Sequence, residues 1–483
     1  MALTILPEEV LELIVGYFSV KDLLSCSAVS LAWRERFNAD VFWKRFCIKS
    51  ISNYLENVQS LVKPVFTMPL ENEERLQPLC EWRIRYMRQT HLINNWKGEN
   101  FLISDFRSYV GVISAEVKID FEGTHWLFVR TTTELEIWNI HNDPILHSTI
   151  ALFGDCAIIN IFLAERYVLV TQWNVLSIYD LRSSGTSIKA KSRCILEEDK
   201  PLPPTLWEVT DKTDINLINE DDDFRYCQFG SMIVGYKRIP NPLTDLTMHI
   251  WEINTGGKVK YESMWKSLFE GYEIAFTNIF RIDDNKGLIR MVFIDVPRVL
   301  HSQIFVYDFK KLKFKETNIT FDGVVVWCGC TQNIIVTFTS HPGIIKFYGY
   351  TSGKLLAVKE IGEYTNSEQM QLVGSYLLYC MFNCMNVMDI HNREIVYCVE
   401  FSFYSFVRRL SVIEPRFVVV WLLQRGGSPG CPVYYQEVWD IKDLSNKLLQ
   451  CSGEQGFEMA ASSPSPIKQV ICADVTMSVY TFW

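Results

Sequence analysis

The sequence predicts a small all-α unit with linker helices at the N-terminus, followed by an all-β propeller. Three observations predict it. Apolar residues recur at helical spacing through roughly the first hundred residues. From about Asn100 onward, short β-branched and aromatic runs alternate with polar turns. A six-residue strand signature then returns along this second part at a spacing near 40 residues, the period of a four-stranded propeller blade.

The helical part has readable starts and stops. Pro7 suits a first helical turn, where a missing N–H costs nothing. Glu8 and Glu9 follow, where the helix dipole favours negative charge. Val10, Leu11, Ile14 and Phe18 then fall at helical intervals. Ser19 or Val20 begins a second short helix through Leu23 and Leu24. Ser30 is placed to cap a third, which carries Trp33 and Phe37, and Asp40 to cap a fourth with Phe42, Trp43 and Phe46. Glu71–Trp96 reads as one longer helical stretch, and Gly98 marks the change of class.

The strand signature ends in an apolar residue, an aromatic, a polar residue and an aliphatic or aromatic one. Its central positions are Trp138, Tyr179, Trp251, Tyr307, Tyr348, Met388, Trp439 and Tyr480, spaced by 41, 72, 56, 41, 40, 51 and 41 residues. Eight occurrences favour eight blades over seven. The longer intervals are expected to hold loop insertions, and the runs 197–204 and 220–223 read as such loops. The last signature ends at Phe482, which leaves its blade without an outer strand. The segment Phe101–Val110 is expected to supply it and close the ring. The predicted organisation is therefore residues 1–50, a helical linker over 51–98, and the propeller over 99–483.

Composition narrows the function classes. Apolar residues make up 48%, enough for a large folded core. The net charge is −9 and no dense basic run occurs, which argues against nucleic acid as a partner. The first hundred residues are neutral, so the negative charge belongs to the second part. Glu8, Glu9 and Glu12 interrupt the N-terminal apolar run, unlike a secretory leader. Phe417–Leu423 is the longest strongly apolar stretch and is far too short to span a membrane. The 14 Cys are scattered, and in the absence of a leader they read as reduced thiols of the cytosol or nucleus.

Leu6-Pro7-x-Glu9, Leu11, Ile14, Tyr17-Phe18, Asp22-Leu23, Cys26, Val29-Ser30, Trp33-Arg34 and Trp43 occur in the order and spacing of an F-box, and Leu6–Trp43 resembles that family. Glu81–Gly98 resembles the linker helix of F-box proteins that carry propellers. The resemblance implies that the F-box binds a Skp-type adaptor, and through it a cullin, while the propeller selects a substrate protein for ubiquitination. Leu6, Pro7, Ile14, Leu23 and Leu24 would sit at or near the adaptor interface; Trp33 and Trp43 would hold the helices together. A scaffold role outside ubiquitination stays open as an alternative. The propeller part is similar to divergent WD repeats. Only Trp439-Asp440 shows the Trp-Asp pair, so no substrate-binding residue is carried over from the resemblance.

No metal motif accompanies this architecture, and a non-catalytic adaptor without cofactor is the expectation. Cys328-x-Cys330 and Cys380-x-x-x-Cys384 lie in apolar strand-like runs and read as buried thiols, since zinc needs four ligands in paired spacings. The eight His are dispersed, with no His-Glu-x-x-His. Arg408, Arg409, Lys237, Arg238 and Arg425 are the basic residues nearest the blades. If the substrate is phosphorylated, Arg408 and Arg409 are the candidate contacts, because Arg binds phosphate bidentately.

Overall fold

The fold is taken from a computed structural model. It describes residues 6–56, 58–67, 78–108 and, from 111 onward, the strands and most of their connections; the longest stretches outside the description are 182–191 and 196–223. The two loops expected at 197–204 and 220–223 lie outside the described residues.

Four short helices open the chain: α1 (Glu8–Val15), α2 (Val20–Ser27), α3 (Leu31–Phe37) and α4 (Asp40–Lys44). Ser19 caps α2 by a reciprocal box. Its hydroxyl accepts from the Asp22 N–H at 3.2 Å, and Asp22 accepts the Ser19 N–H at 2.8 Å. That pairing holds the Asp22 carboxyl below its usual range. Ser30 caps α3 through the Trp33 N–H. Two sequence expectations need correction. Pro7 is the cap of α1 and not its first helical residue. Asp40 does not cap α4, whose cap is Ala39; its carboxylate instead accepts the Trp82 N–H at 3.0 Å.

α5 (Lys49–Glu56) and α6 (Glu81–Lys97) form the linker. The single helical stretch expected over Glu71–Trp96 is not continuous, and α6 starts at Glu81. Residues 78–80 precede it in non-helical backbone, with Cys80 extended at the cap, and 71–77 lie outside the described residues.

From Leu102 the chain forms sheets arranged in a ring. Six are four-stranded and antiparallel, spanning 159–195, 224–267, 273–322, 327–360, 370–400 and 405–452. Each central signature residue lies on the strand next to the outermost of its own sheet. First strands of neighbouring sheets approach one another: Phe224–Phe229 with Glu273–Arg281, and Met370–Val373 with both Trp327–Cys330 and Ser405–Glu414. Apolar clusters fill the gaps between neighbouring sheets. One joins Leu378, Met385 and Val387 to Val418, Val420 and Trp439. Where 159–195 meets 224–267, the Gln228 side chain donates to the Leu163 carbonyl at 3.0 Å.

The seam differs. Leu102–Arg107 pairs antiparallel with Thr476–Thr481, Leu102 opposite Thr481, and with Lys468–Ala473 beyond it makes a three-stranded sheet. The two-residue strand Ala461–Ser462 pairs in parallel with Ser114–Ile119, which gives the sheet at 114–151 a fifth strand. The expectation of eight like blades, or of seven, is therefore corrected to six complete four-stranded blades. The two sheets flanking the seam depart from that plan: the one at 114–151 adds a fifth, parallel strand to four antiparallel ones, and the closing one has three, because Ala461–Ser462 joins the neighbouring sheet instead of Lys468–Ala473.

A feature the sequence pattern did not reveal recurs at the signature. The pairing of third with fourth strand shifts register at Ile137/Trp138, Phe305/Tyr307, Phe347/Tyr348, Val387/Met388 and Val438/Trp439. A bulge adds local twist. At this position it falls where the bulky signature residue enters the gap between sheets.

The linker is seated on this ring. Ile51, Leu55, Leu92 and Trp96 share one buried cluster with Phe417, Val419, Val438, Phe482 and Trp483. Trp96 meets Phe417 edge-on at 5.0 Å. Asn95 donates to the Phe482 carbonyl at 2.9 Å, and the Trp483 indole donates to the Val58 carbonyl at 2.8 Å.

Candidate functional site

The N-terminal helices carry more apolar surface than they bury. On α1, Leu11 and Val15 are four residues apart and both face the core, with Leu23, Phe37, Phe42 and Trp43. Val10, Leu13 and Tyr17 form a second stripe at helical spacing, and this one faces outward: Leu13 is 73% and Tyr17 93% exposed. Leu24, Val29 and Leu31, on α2 and around the start of α3, are exposed as well. Helices this short cannot cover two stripes on one element, and the exposed one is a candidate docking surface.

The sequence-derived adaptor residues divide on this surface. Pro7 and Leu24 are exposed, and Leu6 and Ile14 are half-buried. Leu23 is fully buried in the helical core, so its side chain supports the surface from beneath. The Leu6 carbonyl accepts from the Arg36 guanidinium at 2.9 Å, which ties the chain entry to α3. Leu13, Tyr17, Val29 and Leu31 were not singled out for this surface from the sequence. A helical wheel of α1 would have exposed the second stripe.

The helices are braced from the linker side. Trp43 is buried, its indole donates to the Phe37 carbonyl at 2.9 Å, and Tyr86 and the Arg83 guanidinium lie against its ring. Trp33 packs on Phe37 at 5.6 Å. Asn38 donates to the Pro78 carbonyl at 2.8 Å and accepts the Cys80 N–H at 3.1 Å. Arg85 pairs with Glu56 at 2.8 Å, and Arg88 donates to the last carbonyls of α5. Burial pushes the Cys47 thiol up to about 11 and the Cys80 thiol up to about 12, so neither is a reactive thiolate at neutral pH.

On the ring, Arg408 and Arg409 are both exposed on Ser405–Glu414, the first strand of its sheet. Register shifts between Val407 and Arg409, so Arg408 is the extra residue of a bulge. Lys237 ends a strand of another sheet, and residues 238 and 425 lie outside the described residues.

Cys328 and Cys380 are buried, as the apolar runs implied, and burial raises both thiols; Cys330 and Cys384, expected to be buried with them, are only half-buried. Among the described residues, no group of three or more metal-ligating side chains converges, and no helix is long and apolar enough to cross a membrane.

A groove opens between the sheets spanning 370–400 and 405–452, with a cavity of about 460 Å³. Glu437 lies in it, buried, with one carboxylate oxygen 3.1 Å from the Trp439 indole nitrogen and the other 3.2 Å from the Lys447 ammonium. Glu-x-Trp in the signature strand was the available sequence signal, since Glu136-x-Trp138 repeats it three hundred residues earlier.

Residues 3–49 match the F-box-like family. The chain thus carries an F-box-like domain, followed by a β-propeller. No curated protein matches the sequence. Among solved structures, Kluyveromyces lactis Hsv2 is similar over 72% of this chain and 99% of its own, at 10% identity and a TM-score of 0.40. BamB from Moraxella catarrhalis is similar over 71% and 98%, at 9% identity and a TM-score of 0.41. Dihydro-heme d1 dehydrogenase NirN is similar over 72% and 68%, at 11% identity and a TM-score of 0.46. None of these likenesses bears on what the chain binds.

Proposed function

We propose that this chain is the substrate-recognition subunit of a Skp–cullin–F-box ubiquitin ligase. The observation that carries the reading is the set of exposed apolar residues Val10, Leu13, Tyr17, Leu24, Val29 and Leu31, in a segment that matches the F-box-like family. Leu6, Pro7, Ile14 and Leu24 are its proposed adaptor contacts, together with Leu13 and Tyr17. The propeller presents a substrate protein, and the chain contributes no catalytic group of its own. Holding the substrate near the ligase core raises its effective concentration there, and that suffices for such a subunit. The proposed working compartment is the cytosol or nucleus.

Arg408 and Arg409 are the proposed contacts if the substrate is phosphorylated. The bulge turns Arg408 out of strict alternation, a common device for re-aiming a side chain.

The test is reconstitution of the full chain with a Skp-type adaptor and a cullin. Wild type should co-purify with both. Leu13→Asp/Tyr17→Asp should lose the adaptor while keeping its melting temperature, because both side chains are already in water. An adaptor complex that never recruits the cullin would move the chain to a scaffold role outside ubiquitination. Undiminished adaptor binding by the double variant would remove the docking surface from the argument.

A further inference from the structure

The groove between the sheets at 370–400 and 405–452 holds an arrangement that the adaptor reading does not use. Its floor carries the buried Glu437, and Phe401, Tyr435 and Trp439 line its walls, with Phe401 edge-on to Trp439 at 6.2 Å. The Tyr435 hydroxyl lies 2.6 Å from the Ser405 hydroxyl, which fixes that ring. Glu400 stands exposed at the rim. Two carboxylates and three aromatic rings face one cation, Lys447, whose side chain is 43% exposed.

The propeller contains its own control for this arrangement. In the sheet at 114–151, Glu136 holds the Trp138 indole at 2.9 Å in the same Glu-x-Trp spacing. There the second carboxylate oxygen accepts from the Ser108 hydroxyl at 2.7 Å, and all of these groups are buried. That version is closed and serves packing. At Glu437 the place of the hydroxyl is taken by an ammonium on a long, solvent-exposed stem, above an open cavity. A buried carboxylate needs a donor. Here the donor is one that can leave.

We infer that this groove receives a lysine or arginine side chain of a partner protein, which displaces Lys447 from Glu437 and seats its charge among the aromatic rings. The electrostatics favour a cation: the lining is net negative once Lys447 swings out, and aromatic faces attract ammonium and guanidinium groups. The size fits as well, since cavities of this volume hold a whole side chain. The inference deepens the reading of the propeller as the substrate-binding part. It is separable from adaptor docking, which takes place on the helices.

The probe is a fluorescently labelled hexapeptide with one central lysine, compared with the same peptide carrying arginine, Nε-acetyl-lysine or glutamate. Polarisation is measured on the full chain. Lysine and arginine peptides should bind about tenfold or more tightly than the acetylated or acidic ones, the scale of one charge-assisted contact. Glu437→Gln, which keeps an acceptor for Trp439, should weaken the lysine peptide about tenfold. Lys447→Ala should strengthen it several-fold, because the competing cation is gone. A merely structural Lys447 would not produce that gain. Equal binding of all four peptides would overturn the inference, and so would a Lys447→Ala variant with unchanged or weakened affinity. If Glu437→Gln fails to fold, the acetyl-lysine comparison on wild type and the Lys447→Ala result decide alone. Adaptor co-purification, measured in parallel, shows whether the docking reading stands or falls separately.

Discussion

Trp483 is the residue through which the ring grips the helices, and replacing it should separate the two. The side chain is buried, with Phe66 at 5.7 Å and His91 edge-on at 5.6 Å, both from the linker region. Trp483→Ala removes a buried indole, which costs about 3–5 kcal/mol in a core that relaxes only partly. It also strands the Val58 carbonyl, for roughly a further 1 kcal/mol. Trp483→Phe keeps a ring in place and loses the donor, so it should cost about 1–2 kcal/mol. For a unit the size of the helical part, 1 kcal/mol shifts a melting temperature by about 4–8 °C. Trp483→Ala should therefore lower helix melting by 10 °C or more while the strand signal moves less. Circular dichroism at helix- and strand-sensitive wavelengths reads the two separately, and limited proteolysis should cut the linker first. A Trp483→Ala protein that melts within about 2 °C of wild type, with an unaltered cleavage pattern, would refute the clamp.

Three more outcomes follow from the described contacts. His125 is fully buried and pushed down to about 3, first by burial and then by Lys468 and His141, with Asp120, Asp143 and Tyr54 nearby. As pH falls below about 6.5 the unfolded chain takes up a proton that the folded chain refuses. This site's share of stability should thus drop by about 2 kcal/mol between pH 6.5 and 5, and the wild-type curve should be steeper than that of His125→Gln. Denaturant midpoints that stay parallel across that range would contradict it. Arg416 holds the buried Asp440 through its Nε at 2.8 Å, so Arg416→Ala should cost about 2–4 kcal/mol, read as a lower denaturation midpoint; Arg416→Lys should recover only part, because the fork geometry is lost. Deleting residues 477–483 removes the strand between Leu102–Arg107 and Lys468–Ala473 and should yield aggregated protein on size exclusion, since two edges open at once; a monodisperse truncation with wild-type melting would speak against closure through that strand.

The sequence carried the class of each half well, for a physical reason. Leu11, Val15 and Phe37 obey the helical period because one face must be buried, and the signature residues repeat because each fills the same gap between sheets. The cap was legible at Ser30, whose hydroxyl acts on backbone three residues away, while at the second helix the start was read as Ser19 or Val20 and Ser19 is its cap. Asp40 misled because its carboxylate serves Trp82, 42 residues distant, and no local pattern reports that. The seam misled likewise: whether Ala461–Ser462 joins its own sheet or the next depends on strands more than 300 residues upstream. At the candidate sites, Leu23 and Leu24 are adjacent letters with opposite exposures, and only the helix register separates them. The groove around Glu437 was hidden because its aromatic walls come from two sheets.

Asn95 and Phe482 touch, yet 387 residues separate them. At a synthesis rate of about 5–20 residues/s, Asn95 is translated roughly 20–80 s before its acceptor exists. Until Phe417 is made, Leu92 and Trp96 have none of the ring surface that later buries them. The N-terminal helices can form early, because their contacts are local, whereas the seat that orients them is finished last. The order of synthesis thus makes the fixed spacing between the two halves a late checkpoint, reached only by chains whose final sheet has closed.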